Sequence, residues 1–237
     1  MEKITRALVV ANGKKPVALQ VKKEVRKFLS QQGVAASPSS PQLIITVGGD
    51  GTVLFSKKHY GLPFFSIGSQ TSFVCQANFS DWRKKLASAL RNPRLERRLL
   101  LEAAIDGKKL PLSLNEIGIR NPEPRVLSMH LKAGKHDAAF RADGIFFSTP
   151  TGSPAYCYSC GGSEMGKNEQ RYQVVAIAPF RRLFKPAILP ASSLCTLRIS
   201  GVDRAELFID GQPHGWFSES QTLRIKGSRK KFLFLKS

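Results

Sequence analysis

Acidic residues and cysteines are scarce in this sequence and long apolar runs are missing, and each shortage closes off a class of protein. No segment approaches the ~20 consecutive apolar residues that a membrane span needs. The apolar stretch within the opening MEKITRALVVANGKKP is too short for a signal-peptide core followed by a cleavage site. The expectation is a cytoplasmic chain with no membrane partner. The 4 cysteines among 237 residues, Cys75, Cys157, Cys160 and Cys195, suit that compartment as thiols. Cys157 and Cys160 form a CxxC, but no second cysteine or histidine pair stands at metal-site spacing, so no residue is assigned as a metal ligand and burial is the expected role.

The shortage of acid leaves base in excess: 37 Lys and Arg face 17 Asp and Glu, a formal net charge of +20. Such a field draws polyanions of every kind, from nucleotides to polyphosphate. The positive charges come in short scattered groups such as Lys14-Lys15, Arg83 to Lys85 and Arg229 to Lys231, without a long basic arm, zinc-finger spacing or an RNP-type aromatic signature. A specific nucleic-acid partner is therefore not expected. Hydrophobic residues make up 42% of the chain, enough to meet the entropy cost of folding.

Along the first ~90 residues, strand and helix signals alternate. Ile4 to Val10 and Leu43 to Val47 read as buried strands, as does Pro63 to Ile67, while Lys15 to Gln31, Thr52 to Tyr60 and Asp81 to Arg91 read as helices. The pattern predicts a parallel sheet with helices on both faces and ligands at the carboxyl ends of its strands. From Leu95 the rhythm changes to hairpin-linked strands: Arg97 to Ile105, Leu110 to Arg120, Val126 to Lys132, Ala138 to Ser148, Val174 to Ala178, Leu194 to Ser200, Ala205 to Ile209 and Gln221 to Ile225. One short helix, Ser153 to Cys160, interrupts them. The fold class expected is an α/β domain with a parallel sheet, residues 1–93, followed by an all-β, sandwich-like domain, residues 94–222. Residues 223–237 form a C-terminal segment expected to return to the first domain.

Three polar elements stand out. Gly48-Gly49-Asp50-Gly51 ends a buried strand, where glycine lets the chain turn sharply and lets phosphate approach the amides, and where a carboxylate can orient or deprotonate a hydroxyl. A tight turn with a solvated Asp is the alternative. The segment Phe140 to Gly162 gathers Ser148, Thr149, Thr151 and Ser153 before a short helix, a cluster suited to a sugar or phosphate, with Tyr156 available to stack on a base or to serve as packing. Asn115-Glu116 lies in an apolar strand. Alternation allows one of the pair to be buried and the other to face solvent, or both to edge a cleft and bind ribose or adenine.

Taken together, GGDG, Asn115-Glu116, ADG at Ala142 to Gly144 with STPTGSPAY ending at Tyr156, the approach Lys185 to Pro190, and IDG at Ile209 to Gly211 resemble the NAD kinase family, in order and over nearly the whole chain. That family belongs to a wider group with diacylglycerol and sphingosine kinases. The resemblance implies phosphoryl transfer from ATP, with polyphosphate as a possible donor, to the 2'-hydroxyl of the adenosine ribose of NAD. It implies a divalent cation, Mg2+ first and Mn2+ second, and a homo-oligomer, dimer or tetramer.

Carried over, Asp50 is the catalytic carboxylate and Gly48, Gly49, Gly51 and Thr52 surround donor phosphates. Asn115 and Glu116 bind the adenosine part, Arg141 faces a phosphate and Asp143 stands near the nicotinamide. Thr151, Ala155 and Tyr156 line the dinucleotide, and Asp210 belongs to the same nucleotide site. The chain departs from the family at Pro154, where threonine is usual, and at IGSQTSFVCQANF, where GxLGFL is usual. The rival readings are a lipid or sphingoid-base kinase of the same group, and a non-catalytic nucleotide or nucleic-acid binder.

Overall fold

The computed structural model describes residues 3–236 apart from 60, 124 and 135, with residue 58 described in its backbone only. The chain divides into two compact units, Met1–Arg97 with Phe232–Ser237, and Arg98–Lys231.

The first unit contains β1 (Arg6–Ala11), α1 (Pro16–Gln31), β2 (Ala35–Ala36), β3 (Leu43–Val47), α2 (Asp50–Ser56), β4 (Pro63–Gly68), β5 (Ala77–Asn78) and α3 (Trp82–Arg91). Its strands run parallel in the order β2-β1-β3-β4. Beyond β4, Leu233 and Phe234 from the end of the chain pair parallel with Pro63 and Phe64. Every residue of β3 and β4 is buried, which is why both read as continuous apolar runs. Ala7, Val9, Leu43, Ile45, Val47, Phe65 and Ile67 share one core with the apolar stripe of α1 (Ala18, Val21, Val25, Leu29) and with Trp82, Leu86 and Ala89 of α3.

The helices α1 and α3 share that one core, and on the opposite side of β4 Phe64 meets Phe232 with ring centroids 4.6 Å apart. One expectation is corrected here. The helix after the glycine turn begins at Asp50 and ends at Ser56, giving way to a 3-10 turn at Lys57–His59. Its expected end, Tyr60, lies outside the described residues.

The second unit is antiparallel β. Its elements are β6 (Arg94–Ile105), which enters it from the first unit, β7 (Lys108–Lys109), β8 (Glu116–Arg120), β9 (Leu127–Ala133), β10 (His136–Ala142), β11 (Gly144–Ser148), α4 (Tyr156–Ser159), β12 (Arg171–Ile177), β13 (Ala187–Pro190), β14 (Cys195–Ser200), β15 (Arg204–Ile209), β16 (Gln212–Ser218) and β17 (Leu223–Lys236). One sheet has the order β13-β12-β11-β8-β15-β16, and in the other β10, β9, β14 and the first half of β17 lie side by side. Inward residues of both sheets, among them Ile117, Ile145, Phe147, Leu207, Met129, Leu131, Leu197 and Ile225, form a single core, so the unit is a β-sandwich.

Two strands expected to be continuous are broken. Ala138 to Ser148 splits at Asp143 into β10 and β11, which belong to different sheets. The switch uses Gly144, where a Cβ would sit 2.5 Å from the Ile119 carbonyl oxygen. Leu110 to Arg120 is strand only from Glu116 on, with a lone bridge from Leu101 to Ser113 before it. The amides of residues 114–116 are claimed by a carboxylate instead of a neighbouring strand, as described below.

Candidate functional site

In the first unit, β1, β3 and β4 end side by side. Ala11 pairs with Val47 and Val47 with Ile67, and the next residues continue the row, the Asn12 amide donating to Val47 O and the Gly48 amide to Ile67 O, both at 2.9 Å. Gly48 and Gly49 have φ of 139° and 104°, in the left-handed region. At Gly48 a Cβ would also lie 2.7 Å from both the Asn12 Cβ and the Thr52 hydroxyl oxygen, so glycine is required twice over. Gly51 differs: its φ is ordinary and nothing lies within 4 Å of the Cβ it lacks, so open space adjoins it.

This turn seats Asp50 at the first position of α2. Its Oδ2 accepts the Phe73 amide at 2.8 Å and its Oδ1 the Val74 amide at 3.0 Å. The Cys75 thiol bonds the same carboxylate, and burial first, then the charge and hydrogen bond of Asp50, push that thiol's pKa up to about 12. Lys15, at the head of α1, extends its Nζ to the Gly48 carbonyl oxygen at 3.1 Å and is close enough to act on Cys75 as well. The Thr52 hydroxyl is buried and unpaired. Lys15 was not assigned to this site from the sequence, and residues 73–75 were noted only within the segment that departs from the family pattern. The signal for Lys15 was there, because it opens a helix at the carboxyl end of a parallel strand.

In the second unit the organising residue is Asp210, 2% exposed, with the left-handed φ of 52° that Asp tolerates better than most residues. Its Oδ1 accepts the Ser113 hydroxyl at 2.7 Å, the Leu114 amide at 3.0 Å and the Asn115 amide at 2.7 Å. Its own amide donates to Glu116 O at 2.9 Å. One carboxylate thus clasps residues 113–116. Asn115 and Glu116 are both buried, at 8% and 6% exposure, so of the two readings the one with a surface side chain is set aside. Asn115 precedes β8, so strand alternation does not separate the pair. The Asn115 Oδ1 is buried with no hydrogen-bond partner among the described residues.

The hydroxyls expected to hold a sugar or phosphate are mostly spent on the protein. Ser148, Thr149 and Ser153 are fully buried. Thr149 Oγ1 donates to Leu114 O at 2.5 Å and accepts the amides of Thr151 and Gly152, both at 3.1 Å. Ser153 Oγ donates to Pro150 O at 2.9 Å and accepts the Met165 amide at 2.8 Å. A buried turn without helix or ladder must satisfy its backbone with side chains, and these residues do so. Thr151 Oγ1 is 3.4 Å from a buried Arg98 nitrogen. A Cβ on Gly152 would fall 2.3 Å from Asn115 O, so this turn lies directly on the Asn115 backbone.

The expected helix from Ser153 is a single turn, Tyr156–Ser159, with Ala155 as its N-cap residue, and Pro154 precedes it rather than opening it. Tyr156 is 51% exposed, its ring 4.8 Å from that of the fully buried Phe146. Asp143 is exposed at the corner between the sheets. The Arg141 guanidinium lies 4.4 Å over the Phe180 ring, on the face of β10 turned away from the core. Cys157 is buried and its pKa is raised to about 12, by burial first and also by Cys160 and Glu116, which describes an inert thiol. No trio of His, Cys, Asp or Glu suited to a metal gathers among the described residues, and no described helix is long and apolar enough to cross a membrane.

Residues 114–237 match the family model of the ATP-NAD kinase C-terminal domain. The NAD kinase of Methanosarcina barkeri is 32% identical over 194 residues, covering 79% of this chain and 70% of that protein. The NAD kinase of Treponema denticola is 28% identical over 95% of this chain and 89% of its own length. Among solved structures, yeast NADH kinase complexed with NADH superposes with a TM-score of 0.88 at 18% identity, covering 100% of this chain and 84% of that one. The Archaeoglobus fulgidus NAD kinase in complex with ATP gives 0.82 at 24% identity, covering 98% and 94%. At those identities the two structures speak to the fold.

Proposed function

Since this chain belongs to the NAD kinase family and its activity is phosphorylation of NAD to NADP, we propose that Asp50 is the carboxylate that prepares the adenosine 2'-hydroxyl of NAD. The hydroxyl oxygen attacks the terminal phosphorus of ATP, the bond to the bridging oxygen breaks, and the hydroxyl proton passes to Asp50 as ADP leaves. The observation that carries this role is the seating of Asp50. Two backbone amides hold its carboxylate on a glycine turn at a strand end, so its orientation is fixed before substrate arrives.

The free space beside Gly51, the Thr52 hydroxyl and the Lys15 ammonium suit donor phosphates at that turn. Mg2+ fits a site with one carboxylate, because it usually keeps several waters and travels on substrate phosphates rather than in a protein cage. When bound, it offsets charge on the phosphate oxygens. For NAD, the unpartnered Asn115 Oδ1 is an acceptor for an amino or hydroxyl group of the adenosine, with Glu116 beside it and Asp210 positioning both. Tyr156 offers an exposed ring for stacking, and Thr151, Ala155 and Asp143 complete the proposed NAD-contacting set.

The test is Asp50→Asn, assayed for NADP formation from NAD, ATP and Mg2+ and, in parallel, with polyphosphate as donor. We expect kcat to fall ~100-fold or more, the scale of losing a positioned acid-base group, while calorimetry shows NAD binding retained. Near-normal turnover would remove Asp50 from this role.

A further inference from the structure

The outward face of the sheet formed by β10, β9 and β14 carries a second anion-binding feature. Inward, Phe140, Met129 and Ile199 join the core. Outward, the register sets Arg141, Ser128 and Ser200 in one row and Ala139, His130 and Arg198 in the next. The floor between the arginines is therefore made of small or polar side chains. The segment 178–183 completes a groove of about 620 Å³ by adding Phe180, Arg181 and Leu183, a size within the usual range for small-molecule sites.

Charge in this groove is predominantly positive, with Arg141, Arg181 and Arg198 against Glu219. Arg141 and Arg181 have no carboxylate at ion-pair distance among the described residues, and both lie over the Phe180 ring, at 4.4 and 5.2 Å from its centroid. Among the described residues Arg198 makes a neutral contact, from Nε to Thr222 Oγ1 at 3.1 Å, and no ion pair. Asp137 is engaged by His130 and Lys132, and Glu219 is the carboxylate that lines the groove. The segment bearing Arg181 is strained: Ala178, Arg181 and Arg182, none of them glycine, have φ of 45°, 52° and 54°. Such conformations cost free energy and cluster where a side chain is held for a ligand.

We propose that this groove binds a short inorganic phosphate chain. Guanidinium forks match phosphate oxygens in pairs, and three arginines that outnumber the Glu219 carboxylate gain from a compact polyanion. A nucleotide base finds no platform here, because the Phe180 ring already carries guanidiniums. The inference is independent of the role proposed for Asp50, and it gives Arg141 a phosphate partner in this groove.

Inorganic tripolyphosphate titrated calorimetrically into the full chain near physiological ionic strength should bind saturably. Arg181→Ala/Arg198→Ala should weaken that binding by at least ~10-fold, the loss expected from removing two charged forks. Lys23→Ala/Lys27→Ala, which removes the same charge from the exposed side of α1, should stay within about 2-fold. Hydrogen exchange on the unmutated chain and on Asp50→Asn should show tripolyphosphate protecting segments 178–184 and 196–200, with AMP giving no such protection. That footprint separates the groove from phosphate bound at the glycine turn and needs no groove variant to fold. Equal weakening in both double variants, equal protection by AMP, or no protection in these segments would each overturn the proposal.

Discussion

At the scale of single residues, Asp210 shows how one carboxylate can arrange a whole segment of chain. Its oxygens gather the hydroxyl of Ser113 and the amides of Leu114 and Asn115, which brings Asn115 and Glu116 to the start of β8 with both side chains buried. Asp210→Ala strands those donors and places alanine at a left-handed φ, so we expect a loss of about 3 kcal/mol, measured by urea unfolding. Because the clasp positions the proposed adenosine contacts rather than the reacting atoms, KM for NAD should rise by more than kcat falls. Asp210→Asn, which keeps an acceptor and tolerates the backbone, should be the milder change. The type and spacing of these residues were legible from sequence alone, but their partners were not. Asp210 lies 94 residues beyond Glu116 in the chain, and nothing local shows that the serines and threonines of 148–153 satisfy their own turn.

Elements were legible where a single local pattern decided them. The continuous apolar run of β3 and the helical stripe of α1 read correctly because burial on both faces, or on one stripe, leaves a plain periodicity. The break between β10 and β11 was hidden, since residues on both sides suit a strand and only the crowding at Gly144 forces the change of sheet. The final strand was read too short for a similar reason. Expected at Gln221 to Ile225, it runs from Leu223 to Lys236, with Arg229-Lys230-Lys231 interrupting the apolar signal in its middle. Past that interruption Phe232, Phe234 and Leu235 are fully buried, with the Phe232 and Phe234 rings 4.9 Å apart. Phe234→Ala should therefore cost about 3–5 kcal/mol, the usual range for deleting a buried ring. Lys236→Ala, exposed on the same strand, should stay within ~0.5 kcal/mol. Chemical denaturation of the two variants checks the contrast.

Across the whole molecule, the sequence announced its charge and its thiols but not how the fold treats them. The +20 charge is tolerated by spreading cations over exposed positions, while Cys75, Cys157 and Cys195 share one fate, each with its pKa pushed up to about 12, by burial first. That raises a stability question with a definite sign. Below pH ~9 the thiols are protonated in the folded and unfolded chains alike, and their full contribution is present. Between about 9 and 12 the unfolded chain releases protons that the folded chain retains, so stability falls steadily as pH rises, and Tyr172, also raised by burial, extends the trend. Lysines losing charge in the same window relieve repulsion and act the other way, so the net curve alone does not isolate the thiols. Comparison with Cys157→Ser/Cys195→Ala does, because this variant keeps every lysine and loses two of the raised thiols. Its melting temperature should start lower at pH 7 and fall less steeply from pH 9 to 10.5 than that of the unmutated chain. Parallel slopes would show that these thiols are not held protonated by the fold.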